Sequence, residues 1–346
     1  MQPAPSVTYS SPPAATYPGG HGPAIAVRDL VKRFENVEAV RGVSFEVAAG
    51  ETFGFLGPNG AGKTTTISIL CTLLRPTSGT AWVAGIDVTA DPLAVRSQIG
   101  LVFQDSTLDD YLTAVENLRF HAELYGIPSE AIQNRLDAVL ALVGLFDRGD
   151  HLVGTFSGGM KRRLEIARGL IHSPRVLFLD EPTLGLDPQT RAHIWAHINE
   201  LRMREEITIF LTTHYMEEAE HCDRIAIIDN GQLVAIDSPD ALRATIGKDR
   251  IELHVDEPAR ALSSLSQRFG LDGTASDGAV TFYVADGEEF VPRLFAELGM
   301  PIRSIRVERP TLDDVFMTYT GRRIREAEAS AGERARTAMH RRGRRR

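Results

Sequence analysis

The feature that most constrains this chain is a glycine-rich loop at residues 57–65, which reads GPNGAGKTT and fits the pattern G-x-x-x-x-G-K-[ST]. The apolar run TFGFL at 52–56 precedes the loop, and a helix-like stretch at Thr64–Thr72 follows it. This order directs backbone N–H groups and the positive end of a helix dipole at a polyphosphate. A plain glycine turn before a helix is the alternative, and the strand–loop–helix context argues against it. The sequence therefore predicts a phosphate-binding loop.

Two side chains of this loop have predicted roles at the phosphates. The Lys63 ammonium is expected to reach the β- and γ-phosphates, and the Thr64 hydroxyl is expected to bind Mg²⁺. The predicted nucleotide-binding residues of the loop are Gly57, Pro58, Asn59, Gly60, Ala61, Gly62, Lys63, Thr64 and Thr65.

The segment VLFLDEP at 176–182 contains an apolar run that ends in two adjacent carboxylates. Two carboxylates at the end of a buried strand need a cation or a proton to offset their proximity. On its own the segment reads as a strand followed by acidic loop residues. After a phosphate-binding loop it predicts a Mg²⁺ ligand at Asp180 and, at Glu181, the group that polarises the attacking water.

Strand-like and helix-like runs predict an α/β main domain at 25–247 and a small α+β domain at 248–320. The main domain is expected to have a mainly parallel sheet, an antiparallel β flank and a helical lobe at about 105–172. Residues 1–24 hold six of the 18 prolines and no charged side chain, so they are predicted to be a disordered leader. Residues 321–346 are predicted to be a disordered basic tail.

The charge of the chain is unevenly distributed. The net charge is -8, but residues 321–346 carry +7, so that the other 320 residues carry -15. This acidic body argues against nucleic acid as a partner. The tail is interpreted as a solvated end, with attraction to an anionic membrane surface as the alternative. No apolar run of 18 residues is present, so no membrane-spanning helix is predicted.

The segment FSGGM at 156–160 is followed by KRRLEIARGL and then by the Asp-Glu strand, in an order that resembles the ABC ATPase family. The signature of that family reads LSGGQ, so Phe156 and Met160 depart from it while Ser-Gly-Gly is kept. Further motifs of the family occur in order, as VFQD, GLD and LTTH. The resemblance covers about residues 25–235 and implies the P-loop ABC ATPase fold, with ATP and Mg²⁺ as cofactors.

The resemblance also implies roles for individual residues. Gln104 would bind Mg²⁺ and couple the site to the helical lobe, and His214 would contact the γ-phosphate and orient Glu181 and the water. Phe34 would stack on adenine. The implied catalytic set is Glu181, His214, Lys63 and Gln104, and the implied metal ligands are Thr64, Gln104 and Asp180.

A head-to-tail dimer follows from the same resemblance. Ser157, Gly158 and Gly159 would begin a helix whose N–H groups face a phosphate, and Asp187 would lie in the D-loop beside the nucleotide. By the architecture of the family, the signature is too far from the phosphate loop of its own chain. A second copy would therefore complete each ATP site across a two-fold axis.

Three segments resemble the ATPase subunits of type-2 ABC exporters, particularly those of the daunorubicin-resistance type: 85–105, 156–174 and 309–322. By that resemblance Asp105–Tyr111 and the helical lobe would dock a cytosolic helix of a separate transmembrane permease. The chain would then lie at the cytoplasmic face of a bacterial membrane and drive export of a drug-like or lipid-like compound. An importer ATPase and a soluble ABC ATPase acting on ribosomes or DNA are the alternatives.

Overall fold

The computed structural model describes residues 22–35, 37–205, 207–276 and 279–321. Predictions for the leader before residue 22 and for the basic tail after residue 321 lie outside the described residues. The described chain forms two compact units, 22–236 and 237–321. The division falls before the helix Pro239–Ile246, whereas the boundary predicted from the sequence lies after it, at 247/248.

The strands and helices of the first unit follow the predicted alternation. In chain order they are β1 (Ile25–Phe34), β2 (Val37–Val47), β3 (Thr52–Leu56), α1 (Lys63–Leu70), β4 (Ser78–Val83), β5 (Ile86–Asp87), α2 (Pro92–Gln98), β6 (Ile99–Val102), α3 (Ala114–Leu124), α4 (Ser129–Leu142), α5 (Gly158–Leu170), β7 (Val176–Asp180), α6 (Pro188–Glu205), β8 (Thr208–Thr213), α7 (Met216–Ala219), β9 (Arg224–Asp229) and β10 (Gln232–Asp237).

Two sheets organise this unit. The central sheet has the strand order β10-β9-β3-β8-β7-β6, and its strands from β9 to β6 are parallel. All residues of β3, β7 and β8 are buried, as expected for parallel strands that are covered on both faces. The second sheet, with the order β2-β1-β4-β5, is antiparallel and forms the predicted β flank.

A cluster of five phenylalanines joins the two sheets. Phe45 of β2 stacks on Phe53 of β3 and on Phe210 of β8, with ring centroids 5.5 and 5.9 Å apart. Phe55 and Phe178 contact the same Phe210 ring. Offset aromatic pairs at such distances add stabilisation to the burial of their area. The cluster therefore fixes the flank against the central sheet.

The helical lobe is built from α3, α4 and α5, which pack against one another. The side chain of Thr113 accepts the Glu116 N–H at 3.1 Å, and the Glu116 carboxylate accepts the Thr113 N–H at 2.7 Å, so a capping box begins α3. Each helix buries a leucine completely, namely Leu118 in α3, Leu136 in α4 and Leu164 in α5.

The second unit has an antiparallel sheet with the strand order β12 (Gly273–Ser276), β13 (Ala279–Val284), β11 (Asp249–Val255) and β14 (Ile302–Glu308). Alternate residues of β11 are buried, because one face of the sheet packs on helices. The short strand β12 gave no sequence pattern, since its residues are small. The elements of the unit are α8 (Pro239–Ile246), β11 (Asp249–Val255), α9 (Pro258–Ser264), β12 (Gly273–Ser276), β13 (Ala279–Val284), α10 (Gly287–Glu297), β14 (Ile302–Glu308) and α11 (Leu312–Thr320).

The predicted fold class is confirmed, because a mainly parallel sheet, an antiparallel flank and a helical lobe precede a small α+β unit. Within the described ranges, no helix combines the length and the apolar character that are needed to cross a bilayer.

The phenylalanine cluster predicts a large effect for Phe210→Ala. Removing this fully buried ring is expected to lower the free energy of unfolding by about 3–5 kcal/mol, because a cavity remains where four rings now meet. Urea unfolding followed by circular dichroism measures the change. Phe146→Ala, at an exposed phenylalanine, is the control and is expected to cost less than about 0.5 kcal/mol. Equal effects of the two substitutions would contradict the role of the cluster.

Candidate functional site

Four motifs from distant parts of the chain meet at one edge of the central sheet. The glycine-rich loop follows β3, His214 follows β8, Asp180 ends β7, and Gln104 comes two residues after β6. These strands are parallel neighbours in the order β3-β8-β7-β6, so their carboxyl ends lie at the same edge. That edge is where open α/β sheets bind ligands.

Backbone packing requires glycine at two positions of the loop. A Cβ atom at Gly57 would lie 2.3 Å from the carbonyl oxygen of Ile228, and one at Gly62 would lie 2.5 Å from that of Ala39. Gly62 also has a φ of 108°, a backbone conformation that residues with a Cβ atom rarely adopt. At Gly60 no described atom lies within 4 Å of a Cβ position. The loop is therefore packed on one side and open on the other.

Helix α1 begins within this loop, at Lys63, and no described side chain caps its amino terminus. The N–H groups of a first helical turn lack partners within the helix, and together with the dipole they attract an anion. The Lys63 ammonium donates to the carbonyl oxygens of Gly57 at 2.7 Å and of Pro58 at 3.2 Å. The loop thus combines an open helix terminus with a positive charge, which suits a phosphate group.

Asp180 is buried at the end of β7, with 4% of its surface exposed. Its Oδ1 accepts hydrogen bonds from the hydroxyls of Thr212 and Thr64, the latter at 3.4 Å. Burial raises the pKa of Asp180 above its ordinary value, and the bonds from Thr212 and Thr64 offset only part of that effect. A carboxylate next to a threonine hydroxyl is the hard oxygen donor set that Mg²⁺ prefers. The donor set therefore fits Mg²⁺.

Glu181 lies between two groups that stabilise its negative charge. Its Oε1 is 3.3 Å from the Lys63 ammonium and 3.4 Å from Nδ1 of His214. Burial by itself would raise the pKa of Glu181, but the hydrogen bond with His214 and the charge of Lys63 outweigh it. The pKa consequently lies below its ordinary value. The carboxylate is therefore ionised at neutral pH and can accept a proton.

The backbone of Glu181 is unusual as well. Its φ is 47°, a left-handed conformation that costs a non-glycine residue on the order of 1 kcal/mol. Its N–H donates to the carbonyl oxygen and the hydroxyl of Thr212, each at 3.1 Å. Thr212 therefore holds both carboxylate residues, through the side chain of Asp180 and the backbone of Glu181.

Thr212 was not predicted as a site residue, although it lies within the LTTH motif. In the structure, Asp180 and Thr212 face each other in the register of the parallel strands β7 and β8. That pairing is a tertiary relationship, and it becomes visible only once the two strands are known to be neighbours.

The signature residues Ser157, Gly158 and Gly159 lie at the amino terminus of α5. The Ser157 side chain accepts the Met160 N–H at 3.3 Å and caps the helix. A Cβ atom at Gly159 would lie 2.4 Å from the methyl group of Thr190, whereas one at Gly158 would meet only ordinary contact. Thr190 is held in turn by Asp187, which accepts its N–H at 3.0 Å and its hydroxyl at 2.6 Å. Signature and D-loop are therefore packed together.

Phe34 and Gln104 both lie on the surface. Phe34 ends β1, and the Lys32 ammonium is 5.0 Å from its ring centroid. Their expected roles, stacking on adenine and binding Mg²⁺, stay predictions.

A groove of about 360 Å³ opens between the parallel sheet and the helical lobe. Its lining includes Leu73, Phe103, Thr107, Tyr125 and His172, and the rings of Tyr125 and His172 stack with centroids 3.8 Å apart. The lining is mainly apolar and aromatic, which is typical of a surface that receives another molecule.

Two protein-family models match this chain. A family model described as "ABC transporter" matches residues 40–184. A second model, described as "ATP-binding protein DrrA1-3-like, C-terminal domain", matches residues 238–320.

Individual relatives match over most of their length. The daunorubicin resistance ATP-binding protein DrrA2 of Streptomyces coeruleorubidus is 39% identical, over 89% of this chain and 98% of the relative. The Nod factor export ATP-binding protein I of Burkholderia lata is 40% identical, over 87% and 98%. The solved dimeric structure of the ATP-binding cassette MJ0796 with ADP and Pi is 26% identical, with a TM-score of 0.56 over 62% of this chain and 98% of that one.

The tight contact at Gly159 predicts that Gly159→Ala destabilises the chain without nucleotide. The added methyl group must displace Thr190, and overpacking of this kind costs about 1–3 kcal/mol. Gly158→Ala is the matched control, because a Cβ atom there has room. Differential scanning calorimetry is expected to show a lower melting temperature for Gly159→Ala only. An unchanged melting temperature for that variant would disprove the packing of the signature against Thr190.

Proposed function

Because this chain belongs to the family of ABC transporter ATP-binding proteins, with the carboxy-terminal domain of the DrrA-like members, we propose that it drives a separate membrane permease by hydrolysing ATP as a dimer. Membership of the family makes the chain an ATP-hydrolysing subunit of a drug-resistance or export-type transporter.

The proposed chemistry follows from the buried contact of Glu181 with Lys63 and His214. The ionised Glu181 carboxylate accepts a proton from water while the water oxygen attacks the γ-phosphorus. The bond from the γ-phosphorus to the bridging oxygen breaks, and ADP and phosphate leave. His214 orients both the carboxylate and the γ-phosphate.

In this scheme Glu181 and the phosphates of ATP compete for the Lys63 ammonium. In the structure its ammonium lies against Glu181 and the loop carbonyls. The phosphates of ATP carry more negative charge than one carboxylate, so bound ATP would draw the ammonium toward the β- and γ-phosphates. Glu181 would then keep His214 as its main partner and become free to bind the water.

Thr64 and Asp180 would hold Mg²⁺, with Gln104 as a further predicted ligand. When bound, the ion would neutralise charge on the β- and γ-phosphate oxygens. Thr212 keeps the Asp180 carboxylate in place through its hydroxyl, so little rearrangement is required.

A second copy of the chain is the proposed partner at the nucleotide. The amino terminus of α5 at Ser157, Gly158 and Gly159 would face the γ-phosphate that is bound by the other subunit, and Asp187 would lie beside it. Two such contacts related by a two-fold axis close a head-to-tail dimer. The similar cassette that was solved as a dimer with ADP and Pi supports this arrangement.

The groove beside the helical lobe is the proposed docking site for the permease. It adjoins Asp105–Tyr111 through Thr107, and the Tyr111 side chain is 91% exposed. A cytosolic helix of the permease would insert apolar side chains between Phe103 and Tyr125. The chain would consequently lie at the cytoplasmic face of the membrane.

Export of a drug-like or lipid-like compound is the proposed task of the assembly. The names of similar proteins support it, since they refer to daunorubicin resistance and to Nod factor export. In this proposal the substrate contacts would lie in the permease.

The role of Glu181 predicts that Glu181→Gln lowers the rate of ATP hydrolysis by about 10²–10⁴-fold, because an amide cannot accept the proton. ATP should still bind and should trap the dimer, which size-exclusion chromatography with light scattering detects. Glu297→Gln, at a surface carboxylate of α10, is the control and should retain the wild-type rate. Hydrolysis near the wild-type rate in Glu181→Gln would remove Glu181 from the mechanism.

The docking site predicts that the membrane protein encoded beside the gene changes the ATPase rate in proteoliposomes. Tyr111→Ala should reduce the ratio of the ATPase rate with the membrane protein to the rate without it, because the substitution removes an exposed ring from the docking segment. Tyr283→Ala, at an exposed tyrosine of the second unit, is the control. A wild-type rate that ignores the membrane protein but responds to ribosomes or DNA would favour a soluble ABC ATPase.

A further inference from the structure

Arg162 is a guanidinium on α5 that is buried in the first unit, with 6% of its surface exposed. Its Nε donates to the carbonyl oxygen of Pro182 at 2.6 Å, and its Nη2 donates to those of Asp180 at 3.1 Å and Glu181 at 3.4 Å. Its Nη1 donates to the carbonyl oxygen of Phe103, after β6. One side chain therefore holds three consecutive carbonyls of the turn that carries Glu181.

Glu165 extends this contact away from the nucleotide site. One of its oxygens accepts from Nη1 of Arg162 at 3.0 Å, and the other accepts the N–H of Thr107 at 3.0 Å. Arg168 donates to the carbonyl oxygen of Thr107 at 2.8 Å and to its hydroxyl. An unbroken series of charge-assisted hydrogen bonds thus runs from the Glu181 turn to the segment 105–111.

The geometry of this series makes it sensitive to small movements. The Glu181 turn has a strained backbone, so external bonds must hold it in place. A guanidinium is a rigid planar fork, and its donors can satisfy several carbonyls at once only in one orientation. A shift of the turn would therefore rotate Arg162 and disturb Glu165, since both ions are buried and depend on each other.

We propose that Arg162 and Glu165 are positioning residues for ATP hydrolysis. Arg162 holds the Glu181 turn in its reactive position, and Glu165 passes a displacement of that turn to Thr107. The inference rests on the proposed function, because it takes Glu181 as the group that polarises water. The same helix begins at the signature, so α5 connects the ATP site of its own subunit with that of the partner.

Steady-state ATP hydrolysis by the full chain tests the first step. Arg162→Lys keeps the charge but loses the fork, and it is expected to lower kcat by at least about tenfold. KM for ATP should stay within about twofold, because Lys63 and Thr64 are untouched. Arg163→Lys is the matched control, since among the described residues Arg163 donates only to carbonyls of Val143 and Gly144 in the lobe. A wild-type kcat in Arg162→Lys would overturn the proposal.

A double variant separates positioning from folding. In Arg162→Met/Glu165→Met both buried charges are removed together, which often leaves stability unchanged or improved. We expect a melting temperature at or above that of Arg162→Lys, together with a kcat that stays low. Recovery of both melting temperature and kcat in the double variant would mean that the pair serves stability alone.

Hydrogen–deuterium exchange tests the second step without a permease. A non-hydrolysable ATP analogue is expected to change the exchange of amides in 105–111 in the wild type and in Arg163→Lys. The change should be lost in Arg162→Lys and in the double variant, although each still binds the analogue. An undiminished change in these two variants would overturn the coupling.

Failure of the inference and failure of the proposed function give different results. A wild-type ATPase that ignores the permease contradicts the transport function and leaves the exchange result intact. An active Glu181→Gln removes the premise that Glu181 polarises water. A normal Arg162→Lys beside an inactive Glu181→Gln contradicts the positioning pair alone.

Discussion

Two adjacent buried carboxylates at the end of β7 impose the strongest constraint on this molecule. Asp180 and Glu181 are 4% and 7% exposed, and a buried charge is tolerated only with partners. The hydroxyls of Thr64 and Thr212 bind the first carboxylate, and Lys63 and His214 stabilise the second. These partners follow or belong to neighbouring strands. The order of the parallel strands therefore brings together the groups on which the proposed ATP hydrolysis depends.

Helix α5 is the second element on which function depends. Its amino terminus carries the capped Ser-Gly-Gly signature, and its middle carries Arg162 and Glu165, which contact the site of the same chain. Because a helix moves as a rigid element, a displacement of one end of α5 also displaces the other end. In the proposed dimer, this connection would give a physical route between the two nucleotides and the surface proposed for the permease.

Much of the site could be predicted because motifs record local requirements. The loop at 57–65 needs glycine where its backbone packs on Ile228 and Ala39, and helix α1 must follow it. Thr212, Arg162 and Glu165 escaped prediction for the opposite reason. Their contacts reach backbone atoms 18 to 59 residues away in sequence. A backbone carbonyl or N–H group is present at nearly every residue, so it cannot be recognised from the residue pattern.

The sequence by itself determined the class of fold and predicted the residues that meet at the candidate site, because periodicity and short motifs are local properties. Strand alternation also predicted most of the second unit, although β12 lacked large apolar residues and the short helix α8 lies before the expected boundary. Only the tertiary structure decided that Lys63 and His214 stabilise the charge of Glu181. It also decided that the backbone of Glu181 is strained and that Arg162 holds this turn. Those relationships depend on distances between segments, and the parallel register of β3, β8, β7 and β6 is what sets them.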